Sequence, residues 1–330
     1  MPYVFNPFTD KLDAVDTGGA AGPFVETLTG NDSVAVPASA SGNINVVGSG
    51  NITTSGNAGT NTETISLTGL TQHDVLIGGA SGTSITSVAL TTNQVLMGTT
   101  GSDPSGKVFS INVQTFTTSG TYTLTTGMQY CVLEVVGDGG GGGGCAASGA
   151  TTGAAGSGGG GGGYARKTVS ATTIGASQAV TVGTGGAGGA AGANNGSTGT
   201  GSSVGSIVSA SGGTLGTGGP ASGTTTYAFV GGGTGGSGTS GDLNVRGSSG
   251  EAGIAFGGTG SLAIGGGGGG SIFGGRVNGF GFGTSSTSAG ANGHLYGCGG
   301  SGAASLISQA SAAGGNGAAG IVVITEFVWS

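Results

Sequence analysis

Charge is scarce in this 330-residue chain: six Lys and Arg with thirteen Asp and Glu make up 6% of the residues and leave a formal net charge of -7. Six cations cannot neutralise many phosphates, so a basic nucleic-acid binder is excluded and no nucleic-acid partner is expected. There are six prolines, too few for collagen, and the glycines fall in runs rather than at every third position. Histidine is limited to His73 and His294, and the cysteines Cys131, Cys145 and Cys298 form an odd set without CxxC spacing. Neither a disulfide framework nor a zinc site is supported. No stretch approaches 18 consecutive apolar residues, and the start MPYVFNPFTDKLD lacks a basic and then apolar leader. The expectation is a chain that neither spans a membrane nor is exported by a cleaved signal.

Glycine is what the chain has in abundance: 85 residues, 15 within 1–105 and 70 within 106–330. Each glycine inside a helix costs about 0.8–1.0 kcal/mol relative to alanine, which argues against a helical or α/β enzyme. The mildly apolar, nearly uncharged composition argues equally against charge-driven disorder. The step in glycine content divides the chain. Residues 1–25 hold three of the six prolines and four aromatics, and read as a docking segment with Phe5, Pro7 and Phe8 as candidate anchoring residues.

Residues 26–105 are rich in Thr, Ser, Val, Ile and Asn without a 3.6-residue apolar period, which favours short strands. Ser41-Gly42-Asn43-Ile44 recurs at Ser49–Ile52, and Val75-Leu76-Ile77-Gly78 recurs at Val95–Gly98. Such repetition predicts a thin repetitive β shaft. One copy has too few large apolar side chains to bury a core, so three copies wound together are expected. A flexible linker is the alternative reading; the alternation Thr64-Ile65-Ser66-Leu67-Thr68 argues against it.

Within 106–330, Phe116–Leu124 reads as strand, turn, strand, and Gln129–Val136 as a strand with Cys131, Leu133 and Val135 on one face. Further strands are expected at 164–170, 179–182, 206–210 and 321–328, the last pairing with 129–136 near the middle of a sandwich. Between strands lie three runs of six glycines, Gly139–Gly144, Gly158–Gly163 and Gly265–Gly270. An extended threefold helix of polyproline II type would span about 19 Å in six residues. Without Cβ atoms such helices can stack until their N–H and C=O groups reach neighbouring chains. A lone run stays disordered, because ordering a residue costs about 1–2 kcal/mol against about 0.5–1.5 kcal/mol per net hydrogen bond. A stack pinned by strands at both ends can order cooperatively.

Motifs for chemistry are weak. GxGxxG patterns arise by chance at this glycine density, Gly106-Lys107 is followed by Val108 rather than completing a phosphate-binding loop, and a calcium-binding nonapeptide is approached only at Gly235–Asp242. Acids and His294 are too dispersed for acid/base work, and Cys298 near His294 reads better as a buried small residue than as a nucleophile. No cofactor and no enzymatic activity are expected. Aromatics interleaved with glycine, namely Tyr227, Phe229, Phe256, Phe273, Phe280, Phe282 and Tyr296, with Arg246, Arg276 and Asn278, form either binding platforms or plugs between glycine segments. The receptor-binding candidates are Tyr227, Phe273, Arg276, Phe280, His294 and Tyr296.

Residues 115–330 resemble the glycine-rich domain of bacteriophage tail-fibre and related appendage proteins. The resemblance is carried in order by Phe116–Tyr122, Val135–Gly144, Tyr164–Thr168, Gln178–Gly183 and Gly317–Ile324. The opening VFNPFTDKLDAV is similar to N-termini that attach such appendages to the particle. The resemblance implies an all-β, non-enzymatic homotrimeric fibre of the virion, assembled in the host cytoplasm. Its expected parts are an anchor (1–25) docking to other virion proteins, a shaft (26–105), and a β-sandwich tip (106–330) with stacked polyglycine loops. The tip would meet a host receptor, a glycan or an outer-membrane protein. A head or neck decoration without receptor activity is the alternative, and a secreted silk-type matrix protein would need an export route that this N-terminus does not show.

Overall fold

A computed structural model describes residues 3–6, 11–14, 27–29, 35–37, 52–57, 62–67, 74–78, 85–99, 101–258, 262–279 and 286–330. Its regular structure is nearly all β. Backbone contacts divide the chain into two units, Met1–Gly106 and Lys107–Ser330. Among the described residues no helix is long and apolar enough to cross a membrane.

The first unit contains antiparallel hairpins. β1 (Tyr3–Asn6) pairs with β2 (Lys11–Ala14), β3 (Thr27–Thr29) with β4 (Ala35–Pro37), β5 (Ile52–Asn57) with β6 (Thr62–Leu67), and β7 (Val75–Gly78) with β8 (Ile85–Val88). β9 (Gln94–Thr99) follows, so both copies of the Val-Leu-Ile/Met-Gly repeat are strands. The alternation at 64–68 lies in β6, where Ile65 is exposed. The Ser41–Ile44 repeat lies outside the described residues.

The second unit contains the remaining strands. These are β10 (Ser102–Phe116, which starts in the first unit), β11 (Gly120–Thr123), β12 (Met128–Val136), β13 (Ala154–Ala155), β14 (Tyr164–Ser170), β15 (Ser177–Thr181), β16 (Ser202–Val204) and β17 (Val208–Ala210). They continue with β18 (Tyr227–Val230), β19 (Gly238–Thr239), β20 (Leu243–Val245), β21 (Gly253–Phe256), β22 (Leu262–Ile264), β23 (Thr287–Ser288), β24 (Ala304–Ser305) and β25 (Ile321–Trp329). Of these, β12 and β25 show the clearest alternation of buried and less buried residues. One open sheet runs β20-β14-β12-β25-β10, with β12 paired to β25 as expected. A second runs β11-β15-β16-β17-β19, and the two share one core around Tyr122, Leu133, Val135, Val180, Val208, Val322 and Ile324.

Two sequence expectations are refined here. Phe116 and Tyr122 are both in strands, but β10 and β11 lie in different sheets, and the Ser119 hydroxyl holds the crossing by accepting the Val182 N–H at 3.0 Å. The stretch 206–210 is a turn followed by β17. One helical turn, α1 (Ala171–Ile174), also forms: Ser170 caps it and Gly175, at φ 73°, ends it while Ile174 enters the core.

An acidic side chain sits among the apolar ones. Glu326 on β25 faces inward and is fully buried. Its Oε1 accepts from Tyr122 OH at 2.6 Å and Thr125 N–H at 3.0 Å; its Oε2 accepts from Thr125 Oγ1 at 2.6 Å, Asn112 Nδ2 at 2.7 Å and Gln114 Nε2 at 3.2 Å. Burial alone would raise its pKa, but the donors from Thr125, Tyr122 and Asn112 outweigh it and hold the carboxyl below its usual range. Burial and then the same carboxylate push Tyr122 upward, so it remains a donor, and Cys131 rises to about 11 through burial and then Glu326.

Beyond the sheets, the glycine runs are ordered by backbone hydrogen bonds. The N–H groups of Gly139 and Gly142 donate to Ala318 and Gly315, those of Gly140 and Gly143 to Gly160 and Ser157, and those of Gly141 and Gly144 to Ser197 and Asn194, all at 2.8–2.9 Å. Three neighbours are thus visited in turn, each again three residues later. The carbonyls of 139–144 accept from three more segments, at 186 and 189, 216 and 219, and 300 and 303. The run Gly158–Gly163 repeats the pattern, donating to 251 and 248, 300 and 297, and 214 and 211. Both runs are buried from end to end. Asp138, at the mouth of the first run and fully buried, accepts N–H groups from Gly185, Thr200 and Gly201 and ties two loops to it.

The spacing of this array leaves no room for side chains. A Cβ on Gly142 would lie 2.1 Å from the Ser301 carbonyl oxygen, whereas one on Gly231 would meet nothing within 4 Å. Gly142→Ala should therefore lower stability by about 1–3 kcal/mol or more, since backbone on both sides must move. Gly231→Ala should leave it unchanged or raise it by about 0.4–1 kcal/mol; denaturant unfolding of both variants makes the comparison. The Glu326 carboxyl adds a pH dependence. Because its folded pKa is depressed, its contribution is complete above the ordinary carboxylate range near about 4.3 and is lost as pH falls through the folded value. Glu326→Gln should cost about 1.5–3 kcal/mol at neutral pH and give a shallower acid limb in urea unfolding; an unchanged acid limb would contradict this assignment.

Candidate functional site

At the end of the glycine array away from the two large sheets, the chain forms two small sheets, β13-β24-β23 and β18-β21-β22. Large residues alternate with alanine in β18, β21 and β22. The register aligns Ala228, Ala255 and Ala263 in one row, and Ala255 and Ala263 are fully buried against Ala155, Ala304 and Leu306. Small side chains on that face allow the two sheets to approach closely. The opposite face carries the six largest side chains, in the rows Tyr227-Phe256-Leu262 and Phe229-Ile254-Ile264. Tyr227 is 70% exposed, Phe229 62% and Phe256 45%, and the Tyr227 and Phe256 rings stand 6.4 Å apart. Six large apolar residues on a solvent-facing sheet form a patch of the kind that marks interaction surfaces.

A second surface lies beside the array. The segment after β20 (Arg246–Ser248) and the excursion Gly270–Arg276 border an open cleft of about 350 Å³, also lined by Val245. The excursion is a closed turn: Ser271 N–H donates to Gly274 at 3.0 Å, and Gly268 N–H donates to Val277 at 2.8 Å across its base. Ser248 joins the two walls, its N–H donating to Gly270 O at 3.0 Å and its hydroxyl accepting the Gly270 N–H at 2.7 Å. Arg276 pairs with Glu251, and Glu251 is in turn held by the Gly267 N–H at 3.2 Å. Arg246 Nε donates to Gly235 O at 3.1 Å.

The candidate residues named from sequence separate into different environments. Tyr227 lies on the apolar sheet face, together with Phe229 and Phe256. Arg276 and Arg246 lie on the cleft. Phe273 is 38% exposed, with its ring 6.0 Å edge-on from Tyr164, whose pKa rises to about 12 through burial and the Glu134 hydrogen bond. Tyr296 packs against the cluster of Val136, Tyr164 and Ile321, which is the plug role. His294 is exposed; Cys298 is buried, its thiol donating to Gly275 O at 2.9 Å, so the two do not form a hydrogen-bonded pair. Phe280 and Phe282 lie outside the described residues, as do Pro7 and Phe8, while Phe5 is in β1. In the stretch that approaches a calcium nonapeptide, the Asp242 carboxylate accepts the Thr168 N–H at 2.8 Å. Among the described residues no three His, Cys, Asp or Glu side chains gather as a metal site would require.

Sequence reasoning passed over Ile254, Leu262 and Ile264. The large-Ala-large patterns Ile254-Ala255-Phe256 and Leu262-Ala263-Ile264 carried the signal, but the glycine around them masked it.

The two tyrosines give a direct test of platform against plug. Tyr296→Ala should destabilise the protein by about 1–3 kcal/mol, a partly buried fraction of the cost of emptying an aromatic site. Tyr227→Ser should change stability by less than about 1 kcal/mol, the span of strand propensity on an exposed face. Thermal or urea unfolding of the pair decides between them.

Comparison with protein families matches residues 114–326 to the glycine-rich domain. Among curated proteins, none matches the chain significantly.

Proposed function

The chain belongs to the glycine-rich domain family, and from that premise we propose that it is a structural fibre of a phage virion that attaches to the host surface through this domain. In this reading the chain is a homotrimer. Residues 1–25 dock to other virion proteins, residues 26–105 form the shaft, and the glycine segments stack as polyglycine II helices. It works by binding rather than by catalysis, after assembly in the host cytoplasm. The observation that supports it most is the exposed apolar face around Tyr227, Phe229 and Phe256, carried on alanine-packed sheets at the end of a rigid glycine array. The three-residue stepping of hydrogen-bond partners supports the polyglycine II assignment. Three such faces per fibre and several fibres per particle would raise weak affinities by orders of magnitude through multivalency. The ligand is a host receptor, a glycan or an outer-membrane protein.

Sedimentation of the full chain at micromolar concentration should give three times the 30.2 kDa protomer mass; a monomer contradicts the shaft. The purified full chain should compete with phage for adsorption to host cells. A Tyr227→Ser/Phe229→Ser double variant should compete at least about tenfold less well, equivalent to about 1.4 kcal/mol, with an unchanged melting temperature. Undiminished competition by the variant would remove this face from the proposal. No cell binding by the wild-type chain, together with failed particle assembly on its deletion, would instead favour a head or neck decoration.

A further inference from the structure

The cleft beside the glycine array concentrates positive charge in a unit that is sparsely charged and neutral as a whole. Residues 107–330 contain five Lys or Arg side chains, and two of them, Arg246 and Arg276, line this one open cleft. Glu251 pairs with Arg276 at its edge, so the three groups together carry a charge of +1 in a unit whose five Lys or Arg and five Asp or Glu side chains cancel in sum. The two guanidinium groups are held differently. Arg276 is fixed by Glu251, which is itself bonded to the backbone of Gly267 through both its side chain and its main chain. Arg246 is anchored only through Nε, and its terminal nitrogens have no hydrogen-bond partner among the described residues. A guanidinium fork with free terminal donors is suited to bidentate recognition of a carboxylate or phosphate.

The remaining lining is not charged. Val245 and the 54% exposed Ile272 supply an apolar side, and Ser248 and Ser271 supply hydroxyl oxygens still able to accept a hydrogen bond. The volume of about 350 Å³ falls within the range of small-ligand sites, about 300–1,000 Å³. We propose that the Arg246–Arg276 cleft binds an acidic sugar: a hexose whose carboxylate or phosphate group is taken by the arginines while its C–H face rests on Ile272. Such a site needs neither the virion assignment nor the aromatic face, so it stands or falls separately from the adhesive reading.

Isothermal titration of the full chain with D-glucuronate, glucose 6-phosphate, D-glucose and inorganic phosphate tests it. Glucuronate and glucose 6-phosphate should both bind, weakening as salt is added, and glucose should bind at least about tenfold more weakly. Arg246→Gln and Arg276→Gln should each weaken binding of the charged sugars at least about tenfold, Arg246→Lys should weaken it less than Arg246→Gln, and Arg166→Gln, away from the cleft, should leave it within about twofold. Both arginines are exposed, so melting temperatures of the variants should match the wild type. Preference for only one of the two charged sugars would identify the anion as carboxylate or phosphate and still support the site. Glucose binding as well as glucuronate, inorganic phosphate binding as well as glucose 6-phosphate, or charged-sugar binding unaffected by Arg246→Gln and Arg276→Gln would overturn it.

Discussion

The second unit depends on one contact: a backbone N–H of one glycine segment donating to a backbone carbonyl of the next, at a separation that no Cβ can enter. Each such bond contributes only about 0.5–1.5 kcal/mol net, and glycine loses more conformational entropy on ordering than any other residue. Runs of six glycines are therefore ordered collectively or not at all. Here the collective condition is met. The run 139–144 has all six N–H groups and all six carbonyls engaged with six surrounding segments, so every residue ordered brings two hydrogen bonds rather than one end of a ladder. Burial adds the complementary penalty, because a backbone group left unpaired inside the array would bear the full cost of desolvation.

Such an array has no side chains of its own to tie it, and two buried acids act as ties, one between the sheets that pin its ends and one at its mouth. Glu326 joins the two large sheets by collecting donors from β10, β11 and the Thr125 turn. Asp138 does the same where β12 gives way to the first glycine run, gathering amides from the loops at 185 and 200–201. Both carboxylates are fully hydrogen-bonded, which is the condition under which a buried charge is tolerated. Their roles as structural ties also explain why acidic residues in a sparsely charged domain need not mark chemistry.

The close spacing of the array leaves larger side chains to its margins. Segments leave the stack as excursions and return to it at a bonded position, as the Ser271–Arg276 turn does between Gly268 and Val277. Phe273 and Arg276 lie on that excursion, and Tyr227, Phe229 and Phe256 lie on the small end sheets. The aromatic face and the arginine cleft are consequences of one exclusion rule, even though they offer different chemistry to a ligand.

Much of this was legible in the residues themselves. The strands read at 129–136, 164–170 and 321–328 are present, the pairing of the first with the last follows from their apolar content, and the need for a collective solution follows from the entropy of polyglycine. Sequence also separated the glycine-rich part from what precedes it and exposed the shortage of titratable groups. It could not say which aromatics are platforms and which are plugs, because Tyr227 and Tyr296 stand in similar glycine-rich contexts and differ only in what packs on them. Nor could it bring Arg246 to Arg276, or align Tyr227 with Phe256, since 30 and 29 positions of chain separate those residues. Local propensity acts over a few residues, whereas these placements are decided by which backbone segments bond to which across the array, a choice that glycine, lacking a side chain, leaves unwritten along the chain.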